Sequence, residues 1–152
     1  MVTWTPLLND SEPDCCIAAC GHAVQLWTGK APSDAEIQTA QDQFSGLDSW
    51  SKPLWGWWRR GIGGHRLGGF ARIRPAQIPD AVQRFGCAYV CFNNFQGVSR
   101  HCVLQLAGGF VSWGKEYSFA AAPLPWDIDC AWAIAPRYHP ILLWWTIRNW
   151  FL

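Results

Sequence analysis

No stretch of the 152-residue chain reaches the roughly 20 consecutive apolar residues that a transmembrane helix needs. Charge is scarce and balanced, with 12 Lys and Arg against 11 Asp and Glu, so there is no electrostatic footprint for nucleic acid. Arg59, Arg60, Arg66, Arg72 and Arg74 do cluster, and they read as the solvated face of a strand. The opening MVTWTPLLND lacks the basic start and apolar run of a signal peptide. The expectation is a chain not secreted by that route, its seven cysteines mostly free thiols in a reducing compartment. Repeats, low-complexity tracts and linkers are also missing, which leaves one domain long enough to bury a core.

Tryptophan is abundant: there are 12. That excess implies either a core built on large rings or apolar surface meant for a partner or a membrane.

Asp14 stands where it can cap a helix starting at Cys15. Cys16, Cys20, Val24 and Trp27 recur at helical spacing and face a core, and Gly29 ends the helix. The capping-box pattern SDAE starts a second helix from about Asp34 to Phe44. Ser45 opens a loop, and a short helix over Leu54–Arg60 follows. HRLGGFARI alternates enough for a strand weakened by its glycines, and IPDAVQRF forms a short helix stopped by Gly86. Cys87–Phe92 is an apolar strand, His101–Leu106 and Phe110–Trp113 form a hairpin around Gly108-Gly109, and Cys130–Pro136 is a last strand. Helices first and a largely antiparallel sheet second make an α+β fold.

Cys15 is the candidate nucleophile, because a thiol at a helix N-terminus has its thiolate favoured by the dipole and the open N–H groups. Asp14 works against it, so an imidazolium is needed nearby. His22 lies seven residues along the same helix, roughly 10 Å away, and is read as a packing residue. His101 opens a strand after a loop, where its ring can project across a cleft at a helix end.

These residues carry a resemblance. NDSEPDCCIAACGHAVQLW resembles the nucleophile segment of small papain-like cysteine peptidases of bacteria and phages, which are similar to the double-glycine leader peptidases of bacteriocin transporters. WWRRGIGGHRL resembles a further segment of that family, and HCVLQLAGGFVSWGKEYSF its histidine strand and following xSWG strand. The likeness covers about residues 7–136. It implies a papain-like fold in which the helix bearing Cys15 packs on the sheet bearing His101. It further implies cysteine-peptidase or related amidohydrolase activity with no metal or cofactor. By its register Cys15 is the nucleophile, His101 the base, and Asn9, six residues before Cys15, an oxyanion donor. The third, orienting position falls on Val111 or Ser112, and only Ser112 can bond an imidazole. Two departures stand out: Pro13 replaces a glycine, and the usual Asn or Asp of the third position is missing.

Each residue has a blander reading as well. Cys15 is also what a buried small residue looks like, His101 a strand-end histidine with a satisfied hydrogen bond, and Asn9 a turn residue. The alternative to an enzyme is a catalytically inactive papain-like protein with a binding or structural role, such as a phage virion component. A zinc site from Cys16, Cys20, Cys87 and Cys91 is the rival chemistry, but a strand sets Cys87 and Cys91 about 13 Å apart, too far to share an ion. His65, among glycines, either approaches a ligand or sits in a flexible loop or bulged strand.

The expected division is a peptidase-like domain over residues 1–137 and an apolar, Trp-rich tail over 138–152. Ile141, Leu142, Leu143, Trp144, Trp145, Trp150, Phe151 and Leu152 are too many large apolar groups to leave in water. The tail is therefore expected to dock on another subunit, a virion protein or a membrane surface. The expected substrate is a peptide or protein, and the expected location is a bacterial host cytoplasm or a phage particle.

Overall fold

The computed structural model describes residues 2–10, 14–44, 49–119 and 127–152. Among these the chain forms five α-helices, a short 3-10 turn and a six-stranded sheet. Pro13 and Ser45, for which a stiffened turn and a loop start are expected, lie outside the described residues.

The first half is helical: α1 (Cys15–Thr28), α2 (Asp34–Phe44) and α3 (Lys52–Arg60). Gly29 ends α1 at φ 77, a left-handed conformation that costs glycine nothing. Ser33 and Glu36 satisfy each other's backbone N–H groups at the start of α2, as SDAE implies. Arg59 and Arg60 close α3, and Arg66 donates to the carbonyls of Trp58 and Arg59. Only Arg72 of the arginine cluster lies on a regular strand, with its guanidinium 5.3 Å over the Trp132 ring. The solvated strand face expected of these arginines is thus mostly a helix end and a loop.

The sheet follows as β1 (Gly69–Ile73), β2 (Ala88–Phe95), β3 (Val98–Gln105), β4 (Gly109–Ser112), β5 (Lys115–Ser118) and β6 (Ile128–Ala135). Its order is β1-β6-β2-β3-β4-β5, with every neighbouring pair antiparallel. Two tight turns, Gln96-Gly97 and Trp113-Gly114, have positive φ at both residues, the backbone that matches strand twist in two-residue hairpins. The strand starts at Gly69 rather than His65, since Gly63 and Gly64 turn left-handed and His65 makes only an isolated bridge to Ile62.

Both faces of the sheet are covered, so the strands read as unbroken apolar runs instead of alternating ones. Tyr89, Cys91, Cys102, Leu104, Val111, Cys130 and Trp132 turn toward the α1–α3 layer. Val90, Phe92, Val103, Phe110 and the methyls of Ala131, Ala133 and Ala135 turn the other way. There α4 (Ile78–Phe85) lies over β6, and α5 (Pro140–Arg148) lies over β1.

The tail is therefore partly the domain's own. Leu142 and Trp145 sink into the second core, and the Asn149 amide donates to the Arg72 carbonyl at 3.0 Å and to Gln77 Oε1 at 2.9 Å. Leu143, Trp144, Ile147, Trp150, Phe151 and Leu152 stay exposed, as do Trp55 and Trp58 of α3. Trp55, Trp58, Phe70, Tyr138 and Leu143 line a groove of about 430 Å³ beside the edge strand β1. No helix among the described residues is long and apolar enough to cross a membrane.

Candidate active site

Cys15 is the first residue of α1 and is buried. Asp14 precedes it without a side-chain cap hydrogen bond, and it is the Asp14 carbonyl that accepts from the N–H groups of Ile17 and Ala18. The thiol lies 3.9 Å from the carbonyl of Arg100, the residue just before His101. Arg100 has φ 53, a left-handed kink inside β3 where α1 begins to pack. Topology thus brings the helix start and the histidine strand together.

His101 itself is fully buried. It neighbours Cys102 along β3, so its ring points to the opposite face of the sheet from that thiol. There it stacks on Trp113, with ring centroids 4.4 Å apart and planes 15° from parallel. Its Nε2 lies 2.6 Å from Ser112 Oγ. Its Nδ1 has no hydrogen-bond partner among the described residues, so no hydrogen bond joins Cys15 to His101.

Asp10 completes the cluster, and sequence reasoning missed it. Its Oδ2 accepts the Trp113 N–H at 2.6 Å, and its Oδ1 lies 4.0 Å from His101 Nε2. Burial pushes its carboxyl up to about 7; the Trp113 N–H pulls against that rise, and the nearby Cys15 charge adds to it. The signal was one residue from Asn9 in the same ND pair, but nothing in its spacing ties residue 10 to residue 101. Gly114 supports the arrangement. Its φ is 70, and a side chain there would collide with the backbone of Pro6 in the N-terminal strap that carries Asp10.

Asn9 occupies an exposed turn at φ 55. Its amide donates to Gln41 Oε1 at 3.2 Å, while the Gln41 amide donates to the Leu8 carbonyl at 3.0 Å. The fold thus brings Ser112 and Asp10 to the imidazole and holds Asn9 against α2.

Behind Cys15 lies a cluster of thiols. Cys91 and Cys102 face each other across β2 and β3, with sulfurs 2.8 Å apart, and Cys16 reaches the Cys102 sulfur at 2.9 Å. The sulfurs of Cys15, Cys16 and Cys102 all lie within 4.8 Å of one another. Burial pushes Cys91 and Cys102 up, whereas hydrogen bonds from Cys102, Cys15 and Cys91 hold Cys16 down. The zinc set considered from sequence paired the wrong residues: Cys102, not Cys20 or Cys87, joins Cys16 and Cys91. The Gln96-Gly97 turn was the missed signal, since a two-residue hairpin there sets residue 91 opposite 102.

Of the remaining histidines, His139 caps α5, its Nδ1 accepting the Ile141 N–H at 3.1 Å, and the other two are packing residues. His22 is buried with its ring edge-on to Trp4 at 5.9 Å, and burial pushes it down to about 4. His65 rests against Trp27 and Trp57 at ring distances of 5.8 and 5.9 Å. Compared with models of known protein families, with curated proteins and with solved structures, the chain matches none.

Proposed function

We propose that the chain is a thiol hydrolase of peptide or related amide bonds on a papain-like scaffold, with Cys15 as nucleophile and His101 as base. The observation that carries this reading is the setting of the imidazole. Ser112 engages Nε2, Trp113 stacks on the ring, and Nδ1 is buried without a hydrogen-bond partner among the described residues. With Nε2–H donating to Ser112 Oγ, Nδ1 holds the lone pair that a base requires.

In the reaction, once Cys15 and His101 Nδ1 come within hydrogen-bond reach, the thiol proton passes to Nδ1 and the sulfur attacks the substrate carbonyl. His101 returns the proton to the leaving amine, and water then hydrolyses the thioester. Asp10, when ionised, steadies the transient imidazolium, and Ser112 keeps the ring in one orientation. The N–H groups at the start of α1 hold the oxyanion together with the Asn9 amide, once that amide leaves Gln41.

A second reading has its own support. Cys15 and His101 are 1% and 0% exposed and share no hydrogen bond, which suits a catalytically inactive relative serving as a binding or structural protein. Alkylation separates the two: a chain whose Cys15 reacts first, and does so only with His101 in place, is a thiol hydrolase.

A further inference from the structure

Six of the seven cysteines do not serve the proposed hydrolysis, and three of those six gather at one point. Cys15 and Cys16 come from the first turn of α1, Cys91 from the middle of β2, and Cys102 from β3. Residues up to 87 positions apart in sequence thus aim their sulfurs at one buried spot between helix and sheet. The closest separations, 2.8 and 2.9 Å, fall between a disulfide, about 2.05 Å, and ordinary unbonded contact, about 3.5–4.0 Å. Weak thiol hydrogen bonds join these sulfurs, but they do not require several thiols at one point. A shared cation does: with metal–sulfur bonds of about 2.3 Å, thiolates around one ion sit about 3.8 Å apart, and the sulfurs of Cys15, Cys16 and Cys102 all lie within 4.8 Å of one another.

We propose that Cys15, Cys16 and Cys102, with Cys91 as a fourth sulfur, bind one soft, thiolate-seeking d10 metal ion. All-sulfur donors in a dry pocket select Zn²⁺, held by four thiolates, or Cu⁺, held by three, over the oxygen-seeking cations. Each thiol binds as its thiolate, so every metal–sulfur bond formed releases one proton to solvent. The positive end of α1 lies against the site and offsets part of the negative charge the thiolates bring. The inference does not rest on the hydrolase reading, although Cys15 belongs to both; a chain holding the ion would have its nucleophile masked.

The test uses the reduced, chelator-treated full-length chain. It is titrated in separate arms with ¹¹³Cd²⁺, as the magnetic stand-in for Zn²⁺, and anaerobically with Cu⁺. Native mass spectrometry should show one ion per chain in at least one arm. In the cadmium complex, coupling should run to the β-protons of Cys15, Cys16 and Cys102. Additional coupling to Cys91 marks the four-sulfur, zinc-type site, whereas a stable complex with Cu⁺ alone marks the three-sulfur type. For Cu⁺ alone, X-ray absorption must show sulfur-only ligation that Cys102→Ala abolishes and Cys20→Ala leaves in place. Should neither ion bind at one per chain, or should the metal contact other cysteines, the inference is overturned. Alkylation of the metal-free chain at Cys15 is a separate readout, so the failure of either proposal can be told from that of the other.

Discussion

His101 Nε2 lies 2.6 Å from Ser112 Oγ, with both side chains buried beneath Trp113. The bond fixes which ring nitrogen is available. Removing the hydroxyl leaves a buried nitrogen without its partner, at about 1–3 kcal/mol. Ser112→Ala is therefore expected to lower the unfolding free energy measured in urea by that amount and to slow Cys15 alkylation several-fold. Ser112→Thr should recover most of both. Equal behaviour of Ala and Thr variants would show that the hydroxyl does not position the ring.

Asp10 and His22 make opposite contributions to stability as pH changes. Asp10 is raised from 3.8 to about 7, so its contribution is fully present below its ordinary pKa and is lost as pH rises through about 7. His22 is lowered from 6.5 to about 4, so its contribution is present above 6.5 and is lost as pH falls toward about 4. At about 1.4 kcal/mol per unit, the shifts correspond to roughly 4 kcal/mol for Asp10 and roughly 3 kcal/mol for His22. Between about pH 4 and 6.5 the two slopes oppose each other. Asp10→Asn should leave a stability that climbs with pH across that window, and His22→Phe one that declines. Urea denaturation at the two ends of the window measures both. Identical slopes in the two variants would contradict these assignments.

The C-terminal segment should divide by burial. Trp145 is buried against the sheet and edge-on to Phe85, so Trp145→Ala is expected to cost about 3–5 kcal/mol. Phe151, 96% exposed, should change stability by no more than about 0.5 kcal/mol when replaced by serine. Truncation after Arg137 removes Leu142, Trp145 and Asn149 together. Thermal melting should then show a strongly destabilised domain, rather than the intact one expected of a free-standing tail.

Helices α1 and α2 were legible because caps and stops sit in the sequence itself: SDAE before α2 and Gly29 after α1. The α+β order was legible for the same reason. The turns Gln96-Gly97 and Trp113-Gly114 were not, since each places a non-glycine residue at positive φ, against its intrinsic preference. Missing them hid the β2–β3 hairpin and strand β5, and with them the pairing of Cys91 with Cys102. The closeness of His101 to Ser112 was legible because the two strands that carry them follow each other across a glycine turn. That of Asp10 was not, because its approach to His101 is made by an N-terminal strap held through Trp113 and Gly114, which only the folded chain displays.

Asn9 invites a variant that separates turn from chemistry. Its φ of 55 suits glycine. Asn9→Gly keeps the turn, loses the amide that bonds Gln41, and should move the melting temperature only slightly. If the amide serves the oxyanion, turnover of a peptide substrate falls roughly 10²-fold. An unchanged turnover would assign the amide to Gln41 alone.

The measurement that bears most directly on the hydrolase reading is site-resolved alkylation. The reduced, metal-free chain is treated with iodoacetamide at mildly acidic pH, and labelling at Cys15, Cys16 and Cys20 is followed by peptide mass spectrometry in the wild type and in His101→Ala. The account predicts that Cys15 labels well before the other two, and that the lead disappears without the imidazole. Equal labelling of the three thiols, or a Cys15 lead that survives in His101→Ala, would contradict it.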